Sequence, residues 1–214
     1  MYVPAYFAET RADVLHRLIR AQPLAALVHT GPRGLDANHI PMLIDENNGA
    51  HGLRRGHVAR ANSVHSELAN GSEVLAIFQG PGHYISPNWY PSKHAHGKDV
   101  PTWNYIVVHA RGRIEWHEEA DWLLDMVSAL TNANEAHREQ PWQVADAPAD
   151  YIDRMLESIV GFEIPIGELT GKWKLSQNRR PEDRSGAIAG LAGEPGDAAR
   201  EVANRMRAID HRDT

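Results

Sequence analysis

Turn signals set between short apolar or alternating runs constrain this chain more than any other feature. The run at 24–30 ends in Gly31-Pro-Arg-Gly34, and the run at 39–44 is followed by Asn48-Gly49 before another at 53–58. Runs of this length bounded by glycine, proline and asparagine read as strands, and Asn-Gly suits the tight turn of a hairpin. The run at 73–79 meets Pro81-Gly82, which predicts a further hairpin. Residues 102–116 form the longest strand candidate, with Gly112 as a place to bend, and 160–169 a last one broken at Pro165, with 171–175 beyond it.

Helical periodicity appears only between and after these runs. Thr10 and Asp13 form a capping box ahead of Val14, Leu15, Leu18 and Ile19, a helix that closes by Pro23. A short helix is expected at 64–69. Trp122, Leu123, Met126, Val127 and Leu130 mark an amphipathic helix over 119–132, and Tyr151, Ile152, Met155, Leu156 and Ile159 mark another over 148–159. Residues 86–101, rich in aromatics and prolines, read as a loop. The tail reads as a polar loop at 177–185 followed by helical stretches around Ala187 and over 198–209. There is no internal repeat and no long linker. Strands arriving in hairpins with helices inserted predict a mainly β protein, an antiparallel barrel of six or more strands with peripheral helices, rather than a βαβ sheet.

At 214 residues the chain can bury about 70% of the surface its unfolded form exposes, enough for a core without staples. It has no cysteine, which excludes disulfides, thiolate nucleophiles and iron–sulfur ligation. The first residues lack the basic start and apolar run of a signal peptide, and no stretch approaches a membrane span, so a cytoplasmic protein is expected. The formal charge of −6 argues against general nucleic-acid affinity.

Three clusters could carry chemistry. In Leu53-Arg-Arg-Gly-His-Val-Ala-Arg-Ala-Asn62, a strand leads into a helix start with Arg55, His57, Arg60 and Asn62 close in sequence. Guanidinium forks beside free backbone N–H groups favour a phosphate, although a solvated charged loop reads the same way. In Tyr84-Ile-Ser-Pro-Asn-Trp-Tyr-Pro-Ser-Lys93 and Val100-Pro-Thr-Trp-Asn-Tyr105, aromatic faces accompany Lys93, Asn88 and Asn104. Such a set suits a planar heterocycle, or it plugs one end of a barrel. In Lys172-Trp-Lys-Leu-Ser-Gln-Asn-Arg179, Trp173 between two lysines could stack on a ring, or the segment is an exposed basic edge strand.

Taken together and in this order, these segments resemble the PaiB-type FMN-binding negative transcriptional regulators. Ala37-Asn-His-Ile-Pro41 and Val160-Gly-Phe-Glu-Ile164 add to the likeness, which runs from Met1 to about Leu191. The resemblance implies an FMN-binding split barrel over 1–191 with a helical tail at 192–214, and a homodimer holding FMN in its interface cleft. It implies Arg60 and Lys93 as phosphate contacts with Arg55, His57 and Asn62 beside them. Trp103 and Asn104 lie near the cofactor on this reading, and Trp173 reaches the partner subunit's flavin.

DNA as a partner comes with the family alone. No helix-turn-helix is legible, and the basic residues Arg179, Arg180 and Arg184 read as a solvated loop diluted by Glu182 and Asp183. The alternative is a flavin-dependent oxidoreductase, an FMN reductase or oxidase using NAD(P)H or another small donor. No catalytic residue can be assigned for it; Tyr84, His57 and His83 are the candidates. His94-Ala-His96 lacks a third ligand, so no metal site is expected.

Overall fold

The computed structural model describes residues 1–210. A 3-10 turn at Ala5–Phe7 precedes β1 (Ala8–Glu9) and α1 (Ala12–Ala21). Next come β2 (Leu24–Gly31), β3 (Gly34–Pro41), β4 (Leu43–Asp45), β5 (Leu53–Ala59), α2 (Ser63–Glu67) and β6 (Ser72–Ile85). A 3-10 turn at Pro87–Trp89 then leads to α3 (Pro91–His96), β7 (Thr102–His117), α4 (Ala120–Glu135) and α5 (Ala149–Glu157). The chain finishes with β8 (Ile159–Lys174), α6 (Pro181–Gly193) and α7 (Asp197–Asp210). The sheet order is β3-β2-β6-β7-β8-β5-β4, with β1 paired to β8. The pairings of β1 with β8, β2 with β3 and β6, and β5 with β4 and β8 are all antiparallel, the class the hairpin signals predict.

The chain divides into two compact units, and β6, β7 and β8 contribute residues to both. The first, barrel-strand unit comprises 12–78 and 109–169. The stripe predicted on α1 is buried there, with Leu15 and Ile19 almost fully covered. β5 and β8 pair from Leu53↔Pro165 to Ala59↔Ile159; Val58, Val160, Phe162 and Ile164 are buried on one face, and α4, with Leu123 and Met126 buried, packs on the other face at Gly161. Gly161 permits this packing: a Cβ there would stand 2.2 Å from the Trp122 ring of α4.

The second, terminal unit comprises, among the described residues, 1–11, 79–108 and 170–210. Here α6 and α7 pack together through Ala187, Leu191, Val202 and Met206. α3 lies on α6, fastened where Ser92 donates from its backbone N–H (3.0 Å) and hydroxyl (2.8 Å) to the Asp183 carboxylate.

Five expectations need correction. Pro81-Gly82 is no hairpin; it lies inside the single strand β6. β2 pairs with β6 only at 75–77, so the missing N–H of Pro81 costs that ladder nothing, and Gly82 answers a close approach, since a Cβ would stand 3.1 Å from Tyr105 Cβ. Pro165 does not break β8, because it occupies the last pair of the β5 ladder. The loop expected at 86–101 holds a 3-10 turn and α3, and the one at 177–185 gives way to α6 at Pro181. In each of these cases proline stands in the first helical turn, where its missing N–H is unneeded and its φ is already helical. The helix predicted at 148–159 ends at Glu157, and Ile159 opens β8.

Candidate functional site

In the barrel-strand unit, strand alternation separates the β5 side chains. Arg54, Gly56 and Val58 are buried, whereas Arg55 and His57 are half-buried on the other face. Across the register Arg55 faces Glu163 and His57 faces Gly161. His117 Nε2 lies 3.6 Å from the Glu163 carboxylate, and the His117 ring stacks on Trp122 with centroids 4.2 Å apart. Arg55 Nε and His57 Nδ1 are buried polar atoms with no hydrogen-bond partner among the described residues. Burial holds the His57 imidazole below its ordinary pKa, so it is neutral at pH 7.

Asn62 begins α2: its Oδ1 accepts from the Val64 N–H at 3.0 Å, as an N-cap should. Its Nδ2 donates to Asn38 Oδ1 (2.9 Å), and the Asn38 amide nitrogen lies 3.4 Å from His29 Nε2. Arg60 is occupied differently. Its Nε donates to the Glu157 carbonyl (2.9 Å), Nη2 to the Ile159 carbonyl (3.2 Å) and Nη1 to the Glu118 carboxylate (2.5 Å). It clamps the end of α5 to the start of β8.

The terminal unit holds the other four predicted residues. Lys93 on α3 donates to Asn88 Oδ1. Trp103 is 58% exposed and edge-on to Tyr84, with ring centroids 6.3 Å apart. Asn104, one residue on, points inward and is fully buried; its Nδ2 donates to Ser176 Oγ (3.0 Å) and lies 3.4 Å from Met206 Sδ. Trp173 is 5% exposed, so its ring is covered by its own chain.

The neighbours of Trp173 matter more than sequence reasoning allowed. Lys172, Lys174 and Arg179 line one cavity of about 300 Å³ with Asn104, Ser176 and the aromatic residues near the N-terminus. Alternation along β8 was the available signal: if Trp173 faces one way, both lysines face the other. The basic residues of the tail are not a solvated loop either. Arg179 Nη1 donates to Asp99 at 2.6 Å, and Arg184 is buried on α6.

The fold is the split β-barrel that the resemblance implies. Structures of the FAD and heme binding protein from Mycobacterium smegmatis and of the flavocytochrome Anf3 from Azotobacter vinelandii each superimpose with a TM-score of 0.59. They cover 88% of this chain and 80% of that one at 17% identity, and 86% and 78% at 12% identity, respectively. The family described as "Putative FMN-binding domain" matches residues 1–168, and the chain belongs to it. The protease synthase and sporulation protein PAI 2 of Bacillus subtilis is 31% identical over 206 residues, 96% of each chain. An uncharacterized protein of Emericella nidulans, AN0679, is 34% identical over 242 residues, covering 97% of this chain and 96% of that one.

Proposed function

We propose that this chain binds FMN as a homodimer and serves as a PaiB-like negative transcriptional regulator. The observation that carries the flavin reading is the pair of unpartnered polar atoms, Arg55 Nε and His57 Nδ1, on a chain of the FMN-binding family. A half-buried guanidinium nitrogen without an acceptor is costly, and a phosphate oxygen is the acceptor that suits it. On this reading Arg55 and His57 serve the phosphate, with Asn62 beside them. In the terminal unit, Lys93, Trp103, Asn104 and Trp173 are the cofactor contacts that the resemblance to the family suggests, with Trp103 58% exposed. FMN, when bound, supplies a reversible redox centre.

Exposed Trp103, Tyr84 and Val100 support a dimer, since a second subunit would cover apolar surface left open in one chain. Kinship with PAI 2 along nearly the whole chain supports a PaiB-like protein, and the regulatory role comes with the family resemblance. With a formal charge of −6, any DNA contact is local rather than a general attraction.

Flavin fluorescence on titration of FMN tests the cofactor. Arg55→Ala is expected to weaken binding by about 1.5–3 kcal/mol, the worth of a hydrogen bond from a charged group. Unchanged affinity removes Arg55 from the site. Light scattering at micromolar concentration tests the dimer, and a monomer refutes it. FMN-sensitive binding to the DNA upstream of its own gene supports the regulator. Rapid bleaching of bound flavin by NADH or NADPH, without specific DNA binding, favours the oxidoreductase instead.

A further inference from the structure

We propose that the cavity between the N-terminal residues and the end of β8 binds a second ligand besides flavin: a small aromatic anion, one flat ring carrying a carboxylate or a phosphate monoester. The cavity shares Asn104 and the Trp103 backbone with the proposed flavin contacts, but the inference does not depend on flavin binding there.

Three cations line this space, Lys172, Lys174 and Arg179, and no carboxylate among the described residues does. Lys172 is only 8% exposed, and the acceptor it meets is the Tyr2 carbonyl at 3.1 Å. Lys174 donates to Thr102 Oγ1 and to the Trp103 carbonyl. Both ammonium groups therefore lie in a partly desolvated space with neutral acceptors. Arg179 does have an acid, Asp99, at 2.6 Å, but that carboxylate also accepts from the Ser92 hydroxyl at 3.1 Å. A buried charge is ordinarily paired; Lys172, buried, and Lys174, half-buried, meet only neutral acceptors on one wall.

The strain of this crowding shows on Lys174. Burial, and after it the charges of Lys172 and Arg179, hold its ammonium below the ordinary pKa. An anion in the cavity would offset these like-charge contributions. Lysine is a point donor rather than a planar fork, so the group it meets can be a phosphate or a carboxylate.

The remaining walls define the body of the ligand. Tyr2, Tyr6 and Phe7 line the same cavity, with Lys172 Nζ 5.8 Å from the Tyr2 ring centre and Lys174 Nζ 6.0 Å from that of Phe7. Aromatic faces next to cations accept a flat unsaturated ring bearing the negative group. Asn104 and Ser176 are buried and bonded to each other, and Ser176 holds φ 65, left-handed for a residue with a side chain. Such a conformation persists where its surroundings over-determine it, often at ligand sites. A volume of about 300 Å³ stands at the lower limit of small-molecule sites and fits one ring with its anionic group.

Phenyl phosphate and benzoate are the probes, titrated by calorimetry into the whole protein with and without saturating FMN, with inorganic phosphate as the ringless control. At least one aromatic probe is expected to bind the FMN-saturated protein at least tenfold more tightly than inorganic phosphate. Lys174→Met is expected to weaken it at least tenfold, while Lys174→Arg, which keeps the charge, stays within about threefold of the wild type; circular dichroism and the melting temperature confirm folding of both. Absence of binding by both aromatic probes overturns the proposal, as does binding that Lys174→Met leaves unchanged. Mutual exclusion of probe and FMN, with Lys174→Met weakening FMN by the same factor, also overturns it, because the cavity then belongs to the flavin. Flavin fluorescence read separately reports whether FMN itself binds, so failure of the flavin reading is distinguishable from failure of this one.

Discussion

Gly161 on β8 lies directly beneath the Trp122 ring of α4, so close that a Cβ would stand 2.2 Å from the indole. The same ring stacks on His117 with an interplanar angle of 6°. Gly161→Ala is expected to destabilise the protein by roughly 1–3 kcal/mol, the usual cost of overpacking. Pairing it with Trp122→Ala should recover part of that loss, because the nearer of the two side chains in the way is then gone while Leu123 Cδ2, 2.9 Å off, remains. Denaturant melts of both single variants and the double one measure the coupling. Additive losses refute the contact as the cause.

Arg60 was expected at a phosphate, and its guanidinium is already bonded to two backbone carbonyls and a carboxylate. Arg60→Ala is therefore expected to lower stability by about 1–3 kcal/mol through the lost carbonyl bonds alone. Glu118→Gln tests the exposed ion pair separately, and its effect should fade in high salt. A variant that loses FMN affinity at full stability assigns Arg60 to the cofactor rather than to the α5–β8 junction.

Stability should fall on mild acidification. Burial is the first cause that lowers the pKa of His16, which is 6% exposed, and of His57. Each binds a proton less readily when folded than unfolded. Their neutral-state stability is complete above the unfolded value of about 6.5 and is lost as pH falls from there through the lowered folded values. His57→Gln should flatten part of that slope in melting temperature between pH 7 and 5. A slope unchanged by this substitution removes His57 as a contributor.

Arg54 is fully buried, with Nε and Nη2 unpartnered among the described residues and Nη1 a long 3.4 Å from the Leu53 carbonyl. Burial brings its pKa down to about 10. Its charge lies 5.8 Å from the Phe78 ring centre, a modest compensation. Arg54→Met is expected to raise stability by about 1–4 kcal/mol, as when buried ionic groups give way to apolar ones of similar size. A fall in denaturation midpoint without a change in its slope contradicts this.

The sequence by itself determined the local geometry and the kinship. Gly31-Pro-Arg-Gly34 and Asn48-Gly49 bring their flanking strands together, the α1 stripe points inward, and the clustered motifs lead to the FMN-binding family. These signals act over a few residues, where backbone sterics and side-chain period suffice. Proline at 81, 87, 91, 165 and 181 is not legible from its neighbours, because the cost of its missing N–H depends on whether a partner strand or helical turn needs that donor. Alternation places Arg54 opposite Arg55, and Trp173 opposite its two lysines, but parity does not say which side is buried. Tertiary structure decided that, through contacts between residues far apart in the chain. The pairing of Ala8 with Lys172 brings the Tyr2 carbonyl to the Lys172 ammonium across 170 positions. Only packing at that range could turn a basic segment into a cavity wall.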